Sequence, residues 1–245
     1  MNTANNGKTI WSFLKRKGLN DYAVAGLMGN LKAESALNPQ NLQGGYERKL
    51  GFTDASYTSA VDDGSYGNFV TDKAGYGLAQ WTYWSRKQNL LNFAKSKGAS
   101  IGNLDMQLEF LWKELQGYKS VMATLKNAAS ILEASNAVLR GYERPANQGE
   151  SAQKKRAVYG QDFYDKYADT HGTKETPAEP AISADVSLKT HTVQRGDTLW
   201  RLAKKYLGSG FKWMRIAKLN GVKGTLIRTG QVLKIPEKVR KGDRT

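Results

Sequence analysis

The sequence predicts a mainly α domain with an irregular, short-β insertion, followed by a small α+β domain of βααβ order. Apolar residues recur at helical spacing through most of residues 7–168, which predicts a helical domain. Residues 40–75 are rich in Gly, Asn, Asp and Ser, which favours loops or a small hairpin over long helices. Residues 190–237 read as strand, helix, helix and strand. These three observations define the predicted fold class.

A linker separates the two predicted domains. Residues 170–189 contain Pro, Thr, Glu and Ala without apolar periodicity, which is typical of a linker. We therefore predict a first domain at residues 1–169, a second at 190–237 and a basic tail at 238–245. With 245 residues, the chain has room for each domain to bury its own core.

The charge of the chain is strongly positive and unevenly placed. The formal net charge is +15, and residues 171–245 carry 16 Lys and Arg against 6 Asp and Glu. Such a basic C-terminal part indicates a polyanionic partner, which could be nucleic acid, an acidic membrane or an anionic cell wall. No apolar run approaches the roughly 18 residues of a membrane span, so no span is expected.

The Cys and His counts narrow the possible chemistry. The sequence has no Cys and two His, at positions 171 and 191. These counts exclude a thiol nucleophile and make a zinc site improbable, since catalytic zinc sites usually need two or three His. No metal and no cofactor is predicted. Carboxylate chemistry is what remains for catalysis.

The segment from Val24 to Pro39 is the strongest candidate for a catalytic element. Its apolar residues lie at helical spacing, Asn20 offers an N-cap and Asn38-Pro39 ends the predicted helix. Glu34 lies at the end of this helix, where helix-end charge and burial are expected to raise its pKa. A protonated glutamate is what a general acid needs to protonate a glycosidic oxygen. A solvated helix-end residue is the alternative.

A second candidate element is GYGLAQWTYW, residues 75–84. Its aromatic rings and amide group could bind a sugar by stacking and hydrogen bonding. At least one of Trp81 and Trp84 is expected to be a core residue instead.

Residues 190–237 closely resemble the LysM module. The resemblance is carried by TVQRGDTLWRLAKKY, by Asn220, and by Ile227 ahead of GQVLKIP. The resemblance implies binding of N-acetylglucosamine units of peptidoglycan or chitin. Leu199 could instead be a residue of the hydrophobic core. The implied groove residues are Gly196, Asp197, Thr198, Leu199, Asn220 and Ile227.

Residues 5–168 resemble the phage tail-type lysozyme domain within the lysozyme-like superfamily. The matching segments are GLMGNLKAESALNP (26–39), AGYGLAQWTYWSRKQ (74–88) and GYERPAN (141–147). The resemblance implies that Glu34 is the general acid. The residues it implies around the sugar are Ser35, Tyr76, Gln80 and Trp81.

A second catalytic carboxylate is less clearly indicated. Asp72 is the first choice because it lies just ahead of the GYGLAQW element, and Asp54, Asp62 and Asp63 follow. For each of them taken singly, a solvated loop aspartate is the favoured alternative. Lytic transglycosylases need no second carboxylate, since a hydroxyl of the substrate attacks.

Together these observations predict a phage endolysin-type hydrolase of the β-1,4 bond between N-acetylmuramic acid and N-acetylglucosamine. A lytic transglycosylase, which leaves 1,6-anhydro ends, and a non-catalytic peptidoglycan-binding protein are the alternatives. The expected partner is an anionic, Gram-positive-type cell wall rather than nucleic acid, and a monomer is expected. Because the first 18 residues lack the apolar stretch of a signal peptide, we expect synthesis in the host cytoplasm and action at the wall after release, or carriage on a virion.

Overall fold

The computed structural model divides the chain into two compact units, residues 1–170 and 171–245. The structure describes residues 3–168, 188–208, 210–222 and 226–236. The predicted basic tail lies outside the described residues, and so does the predicted linker except for its last two residues. Those two residues belong to a strand, so the second folded segment begins slightly earlier than predicted.

The first unit is mainly helical, which confirms the predicted fold class. A π-helical turn, Leu139–Glu143, follows its eighth helix directly. Its α-helices are α1 (Thr3–Arg16), α2 (Asp21–Ser35), α3 (Tyr46–Leu50), α4 (Asp54–Asp62), α5 (Trp84–Ser96), α6 (Leu104–Gly117), α7 (Lys119–Lys126), α8 (Ile131–Val138) and α9 (Glu150–Tyr167).

Helix α2 is the central element of this unit, and it packs against α8 and α9. Every residue from Ala23 to Leu31 is buried. Two glycines allow the close approach: an added Cβ at Gly26 would lie 2.6 Å from the Ala134 Cβ, and one at Gly29 would lie 2.2 Å from the carbonyl oxygen of Arg156. This contact brings the side chains of α9 within reach of the C-terminal end of α2.

The ends of α2 are defined by local hydrogen bonds. The Asn20 side chain accepts a bond from the Ala23 N–H at 2.9 Å, which confirms the predicted N-cap. The helix ends at Ser35, before the predicted Asn38-Pro39 stop, because Ala36 and Leu37 take left-handed φ angles of 53° and 64°. The left-handed cap leaves Glu34 on the last turn of the helix.

The insertion between α2 and α5 contains more helix than the sequence indicates, since α3 and α4 lie within it. The predicted short β structure is limited to isolated bridges from Tyr76 to Leu42 and to Trp81. An aromatic cluster fills its interior, with Tyr57, Phe69 and Tyr76 all buried. This cluster joins the otherwise irregular segment to the hydrophobic core of the first unit.

The second unit has the predicted βααβ order. Strands β1 (Leu188–Thr192) and β2 (Val232–Pro236) pair antiparallel. Between them lie α10 (Leu199–Leu207), a 3-10 turn (Gly210–Lys212) and α11 (Trp213–Leu219). Its core residues include Val193, Leu199, Trp200, Leu202, Ile216, Leu233 and Ile235. Within the described ranges of both units, no helix is both long enough and apolar enough to cross a membrane.

Candidate active site

A cleft of about 520 Å³ opens at the C-terminal end of α2. This volume lies within the usual range for a small-ligand site. Its walls are mostly polar, with amide, hydroxyl and charged groups from four segments of the first unit. The lining residues are Glu34, Asn41, Gln43, Gly44, Ala79, Gln80, Thr82, Tyr83, Arg86, Glu143, Arg144 and Pro145.

Glu34 lines this cleft and is 18% exposed at its side chain. Its Oε1 atom accepts a hydrogen bond from Nη2 of Arg156, which extends from α9 and is 8% exposed. The sequence suggested an isolated carboxyl at the edge of an apolar helix. The structure instead gives Glu34 a cationic partner, because the glycine contacts of α2 bring α9 close to its C-terminal end.

Glu143 is a second carboxyl in the same cleft, and it is not among the site residues predicted from the sequence. It is the last residue of the π-helical turn, and its Oε1 atom is buried without a hydrogen-bond partner among the described residues. Burial raises the pKa of Glu143 well above its usual range, and the charge of Glu34 raises it further, whereas Arg86 and Arg156 lower it. A π-helical turn is itself a frequent feature of functional sites.

One signal in the sequence could have pointed to Glu143. It lies inside GYERPAN, a segment already noted for its resemblance, and Pro145 soon follows to interrupt the helix. No residue spacing, however, indicates that this carboxyl faces the end of α2.

Two cleft residues hold a strained backbone conformation. Gln80 and Arg144 have φ angles of 45° and 49°, in the left-handed region that non-glycine residues seldom adopt. The Gln80 amide nitrogen donates to the carbonyl and side-chain oxygens of Asn41 at 3.1 and 2.9 Å. Such strain is concentrated at functional sites in proteins, where surrounding contacts maintain it.

Of the four residues expected around the sugar, only Gln80 lines the cleft. Ser35, Tyr76 and Trp81 are buried. The Ser35 hydroxyl donates to the Leu78 carbonyl at 2.9 Å, Tyr76 pairs with Thr58 at 2.6 Å, and the Trp81 indole donates to a glutamate at 2.7 Å. These three side chains therefore support the wall of the cleft from behind, because their polar tips are satisfied within the core.

The glutamate that accepts from Trp81 is Glu114, which organises the wall near Glu143. It receives two bonds from Arg86 at 2.9 Å each and one from the Tyr142 hydroxyl at 2.7 Å. Burial acts to raise the pKa of Glu114, but Arg86 and the hydrogen bonds of Tyr142 and Trp81 lower it below its usual value. An ionised Glu114 thus fixes Arg86 at the cleft and anchors the residue before Glu143.

Asp72 is held in a separate buried cluster and is not among the residues that line the cleft. It accepts bonds from Lys87 Nζ and the Tyr57 hydroxyl, both at 2.5 Å, and from the Ala74 N–H at 2.9 Å. The Asp72 and Lys87 side chains are 2% and 0% exposed. Burial lowers the pKa of Lys87, although Asp72 acts to raise it. The structure does not bring Asp72 together with Glu34 at a common surface.

The other three aspartates considered in the sequence analysis also have structural partners. Asp54 accepts from the Leu42 N–H, Asp62 from the Ile101 N–H and Asp63 from the Ser65 N–H, each at 2.8 Å. The bonds of Asp54 and Asp63 lie within the insertion, that of Asp62 ties the insertion to the loop between α5 and α6, and none of the three lines the cleft.

In the second unit, the loop before α10 is built by its own side chains. Gly196 has a φ of 89°, and Asp197 accepts from the Gln194 N–H at 2.9 Å and contacts His191 at 2.7 Å. Thr198 caps α10 by accepting from the Arg201 N–H, at 3.1 Å.

Leu199 is buried, and Ile227 is partly exposed. The Asn220 side chain bonds both the N–H and the carbonyl of Lys234, at 2.6 and 2.7 Å, and so ties α11 to β2. Asn220 also lines a hollow of about 410 Å³, whose other lining residues are Gly221, Val222, Leu226, Arg228 and Gln231.

The helical fold with a carboxyl-lined cleft, followed by a small βααβ unit, defines a lysozyme-like domain joined to a LysM domain. Comparison with known families agrees: residues 5–167 match the phage tail lysozyme model, and residues 191–236 match the LysM domain. Because the first match covers more than half of the sequence, the chain belongs to the phage tail lysozyme family.

Individual relatives match over part of the chain. Morphogenesis protein 1 of Bacillus phage B103 is 26% identical over 163 residues, which is 63% of this chain and 38% of that protein. The probable peptidoglycan endopeptidase LytE of Bacillus subtilis (strain 168) is 48% identical over 46 residues, 19% of this chain and 13% of that protein. The uncharacterized protein YpbE of the same strain is 40% identical over 62 residues, 25% and 26% of the two chains. The chain thus spans well under half of the length of each of these relatives.

Proposed function

We propose that this protein cleaves the glycan strand of bacterial peptidoglycan, with Glu34 as the general acid. The observation that carries the proposal is the position of Glu34, on the last turn of a buried helix and in the wall of a polar cleft. Membership of the phage tail lysozyme family supports a lytic enzyme as the class of activity.

The lining of the cleft suits a saccharide. Asn41, Gln43, Gln80 and Thr82 supply amide and hydroxyl groups for sugar hydroxyls. Tyr83 lines the cleft with a side chain that is 64% exposed, and the adjacent Trp84 is 57% exposed. Exposed rings at the rim can stack on the C–H faces of sugar rings. We propose the β-1,4 bond between N-acetylmuramic acid and N-acetylglucosamine as the bond that is cleaved.

In the proposed reaction, Glu34 donates a proton to the glycosidic oxygen as the bond to that oxygen breaks. Arg156 holds the Glu34 carboxyl group in position at the cleft. The sugar cation is then captured by water or by a hydroxyl of the same sugar, which gives a hydrolytic or an anhydro product respectively.

The LysM unit is proposed to hold the enzyme on its polymeric substrate. Linked binding raises the effective concentration of glycan at the catalytic cleft without any new catalytic contact. The basic character of residues 171–245 favours an anionic, Gram-positive-type wall. The LysM match of residues 191–236, together with a relative named as a probable peptidoglycan endopeptidase, supports peptidoglycan as the target.

We propose an endolysin-type role, in which the enzyme reaches the wall after release from the infected cell. A virion-associated role is the second candidate, because one relative is a phage protein named for morphogenesis. Detection of the protein in purified virions by mass spectrometry would favour the second role over the first.

The test is mass spectrometry of sugars released from purified peptidoglycan by the wild type and by Glu34→Gln. Glu109→Gln is the matched control, since Glu109 is a half-exposed carboxylate paired with Lys97 away from the cleft. We expect muramic acid at the reducing ends from the wild type and the control, and none from Glu34→Gln. Anhydro ends would indicate a transglycosylase, and no sugar release with wall binding retained would overturn the proposed function.

A further inference from the structure

A second hollow of the first unit, with a volume of about 410 Å³, lies between α5 and α6. We call it the α5–α6 hollow. Its volume is within the usual range for a small-ligand site. Helix α5 lines it with Asn89, Asn92, Phe93 and Ser96, and α6 lines it with Phe110, Lys113 and Glu114. The hollow is therefore large enough for a ligand group of its own.

An ion pair joins this hollow to the candidate active site. Arg86 lines the cleft and Glu114 lines the hollow. The Arg86 guanidinium donates two hydrogen bonds to the Glu114 carboxylate, each at 2.9 Å, and the side chains are 21% and 13% exposed. Two parallel charge-assisted bonds fix the relative geometry of the two groups. The cleft and the hollow are thus neighbours that share a wall.

A row of aromatic rings links the same two depressions within the core. The ring centroids of Trp81 and Phe110 lie 5.3 Å apart, and those of Phe110 and Phe93 lie 5.6 Å apart. Trp81 supports the cleft from behind, whereas the two phenylalanines line the hollow. Aromatic contacts at these distances are favourable. The packing therefore holds the floor of the hollow in a fixed position relative to the cleft.

The residue spacing of α5 shows how the hollow continues the cleft. Arg86 and Phe93 lie seven residues apart, and so do Asn89 and Ser96, so all four share one side of the helix. The helix rises by roughly 10 Å between Arg86 and Phe93. A polymer that leaves the cleft beside Arg86 and follows α5 therefore reaches the hollow next.

The lining of the hollow suits a sugar. Asn89, Asn92 and Ser96 are exposed and supply two amide groups and a hydroxyl group, and the Lys113 ammonium lies 5.3 Å from the centroid of the Phe93 ring. An apolar floor surrounded by a few hydrogen-bonding groups is the usual composition of a small-ligand site. These groups can pair with the hydroxyl and acetamido groups of a sugar.

We propose that the α5–α6 hollow is a further glycan-binding subsite, which holds saccharide units of the same strand beyond those in the cleft. This inference rests on the proposed glycan cleavage. It assigns a specificity to the enzyme: strands long enough to reach the hollow are bound better than short ones. Because the hollow lies to one side of the cleft, it also fixes the distance between the cleaved bond and one end of a short strand.

The test compares cleavage of a tetrasaccharide and an octasaccharide of alternating N-acetylglucosamine and N-acetylmuramic acid, both free of peptide. Asn89→Ala/Asn92→Ala removes two exposed amides, and Ala is the better helix former. We expect kcat/KM for the octasaccharide to fall about tenfold, the scale of one or two lost hydrogen bonds, with the tetrasaccharide unaffected. Asn127→Ala is the matched control, since Asn127 is an exposed amide that lines neither depression.

The sizes of the products give a readout that the LysM unit does not determine. The wild type should cut the octasaccharide mainly at one position, and Asn89→Ala/Asn92→Ala should cut it at several. Asn92→Leu, which fills the hollow from an exposed position, should have the same effect as the double variant. A loss that appears only with glycan carrying stem peptides would make the occupant a peptide and would overturn the proposal.

The outcomes separate this inference from the proposed function. If the wild type cleaves the octasaccharide and the double variant does so at the same rate and position, the hollow is no subsite and the proposed function stands. If the wild type cleaves neither oligomer, the proposed function fails, and octasaccharide affinity by calorimetry decides the inference. Weaker binding to the double variant than to Asn127→Ala would support a glycan site in the hollow, whereas equal binding would overturn it.

Discussion

Two carboxylates of the first unit each have a cationic partner, yet they lie in opposite environments. Glu34 pairs with Arg156 at the wall of a polar cleft, and its side chain is 18% exposed. Asp72 pairs with Lys87 inside the insertion, and neither side chain is more than 2% exposed. A substrate can reach the first pair only. The comparison shows that exposure to a cleft, rather than the presence of an ion pair, separates a candidate catalytic group from a structural one.

The largest effect on stability is expected at the buried pair. Asp72→Asn leaves the Lys87 ammonium unpaired in the core and weakens the bond from Tyr57. Removing one partner of a buried pair typically costs about 3–5 kcal/mol. We expect this loss in the free energy of unfolding, measured by urea denaturation, with the turnover of the folded protein unchanged. The double variant Asp72→Asn/Lys87→Met should recover part of the loss, and a double variant no more stable than Asp72→Asn would contradict the ion-pair explanation.

The cleft carboxyl Glu143 should affect stability in a pH-dependent way. Its pKa is raised by burial in the folded protein, so the unfolded chain ionises first as pH increases and the carboxyl then destabilises the fold. Glu143→Gln removes this penalty. Its unfolding midpoint should equal that of the wild type near pH about 4 and exceed it increasingly toward neutral pH. Thermal unfolding across this pH range measures the difference, and a difference that does not change with pH would refute the buried-acid assignment.

A smaller effect on stability is expected from a substitution at the contact between α2 and α9. The new Cβ of Gly29→Ala would lie 2.2 Å from the Arg156 carbonyl oxygen, so α9 must move away from α2. Such overpacking typically costs about 1–3 kcal/mol. The displacement also moves Arg156 away from Glu34, so sugar release should fall more than unfolding alone explains. Gly67→Ala, at a glycine with open space around it and outside the lining of the cleft, is the control for glycine replacement and should leave stability nearly unchanged.

The smallest effect, a loss of glycan affinity, is expected from substitutions at the rim of the cleft. Tyr83 and Trp84 are exposed neighbours with ring centroids 6.1 Å apart. Replacing either by Ala should weaken glycan binding by about 1 kcal/mol, comparable to the loss of one aromatic contact, and should leave the unfolding midpoint unchanged. Binding of glycan fragments to the Glu34→Gln background measures this loss directly. Equal affinity in the Tyr83→Ala/Trp84→Ala double variant would show that the rings do not contact the glycan.

Much of the fold follows from local patterns in the sequence. Three short-range signals agree with the structure. They are the helical periodicity, the Asn20 cap, and the strand–helix–helix–strand order of the second unit. The position of Glu34 near the end of α2 is also a short-range signal, whereas its predicted role as the acid is implied by the resemblance to the phage tail-type lysozyme domain. Its partner Arg156 lies on a distant helix, so its role depends on packing that no local pattern reveals.

The remaining site residues depend on tertiary packing in the same way. Lys87 has the sequence signature of a solvated helix residue, but it is fully buried against Asp72. Trp81 and Tyr76 have the composition of a sugar-binding surface, yet their polar tips find partners inside the core. Glu143 reaches the cleft because a π-helical turn redirects the chain, and that turn has no sequence signature of its own.

The comparison between the two ion pairs can be tested in one measurement. The rate of sugar release from purified peptidoglycan is determined for the wild type, Glu34→Gln and Asp72→Asn, below the unfolding midpoint of each. The structure predicts a loss of about a hundredfold or more for Glu34→Gln, with a smaller fall in the midpoint than for Asp72→Asn because the Glu34 pair is more exposed. It predicts a wild-type rate for Asp72→Asn with a lowered midpoint. A fully active Glu34→Gln, or an Asp72→Asn that is folded and inactive, would contradict the assignment of catalysis to the cleft.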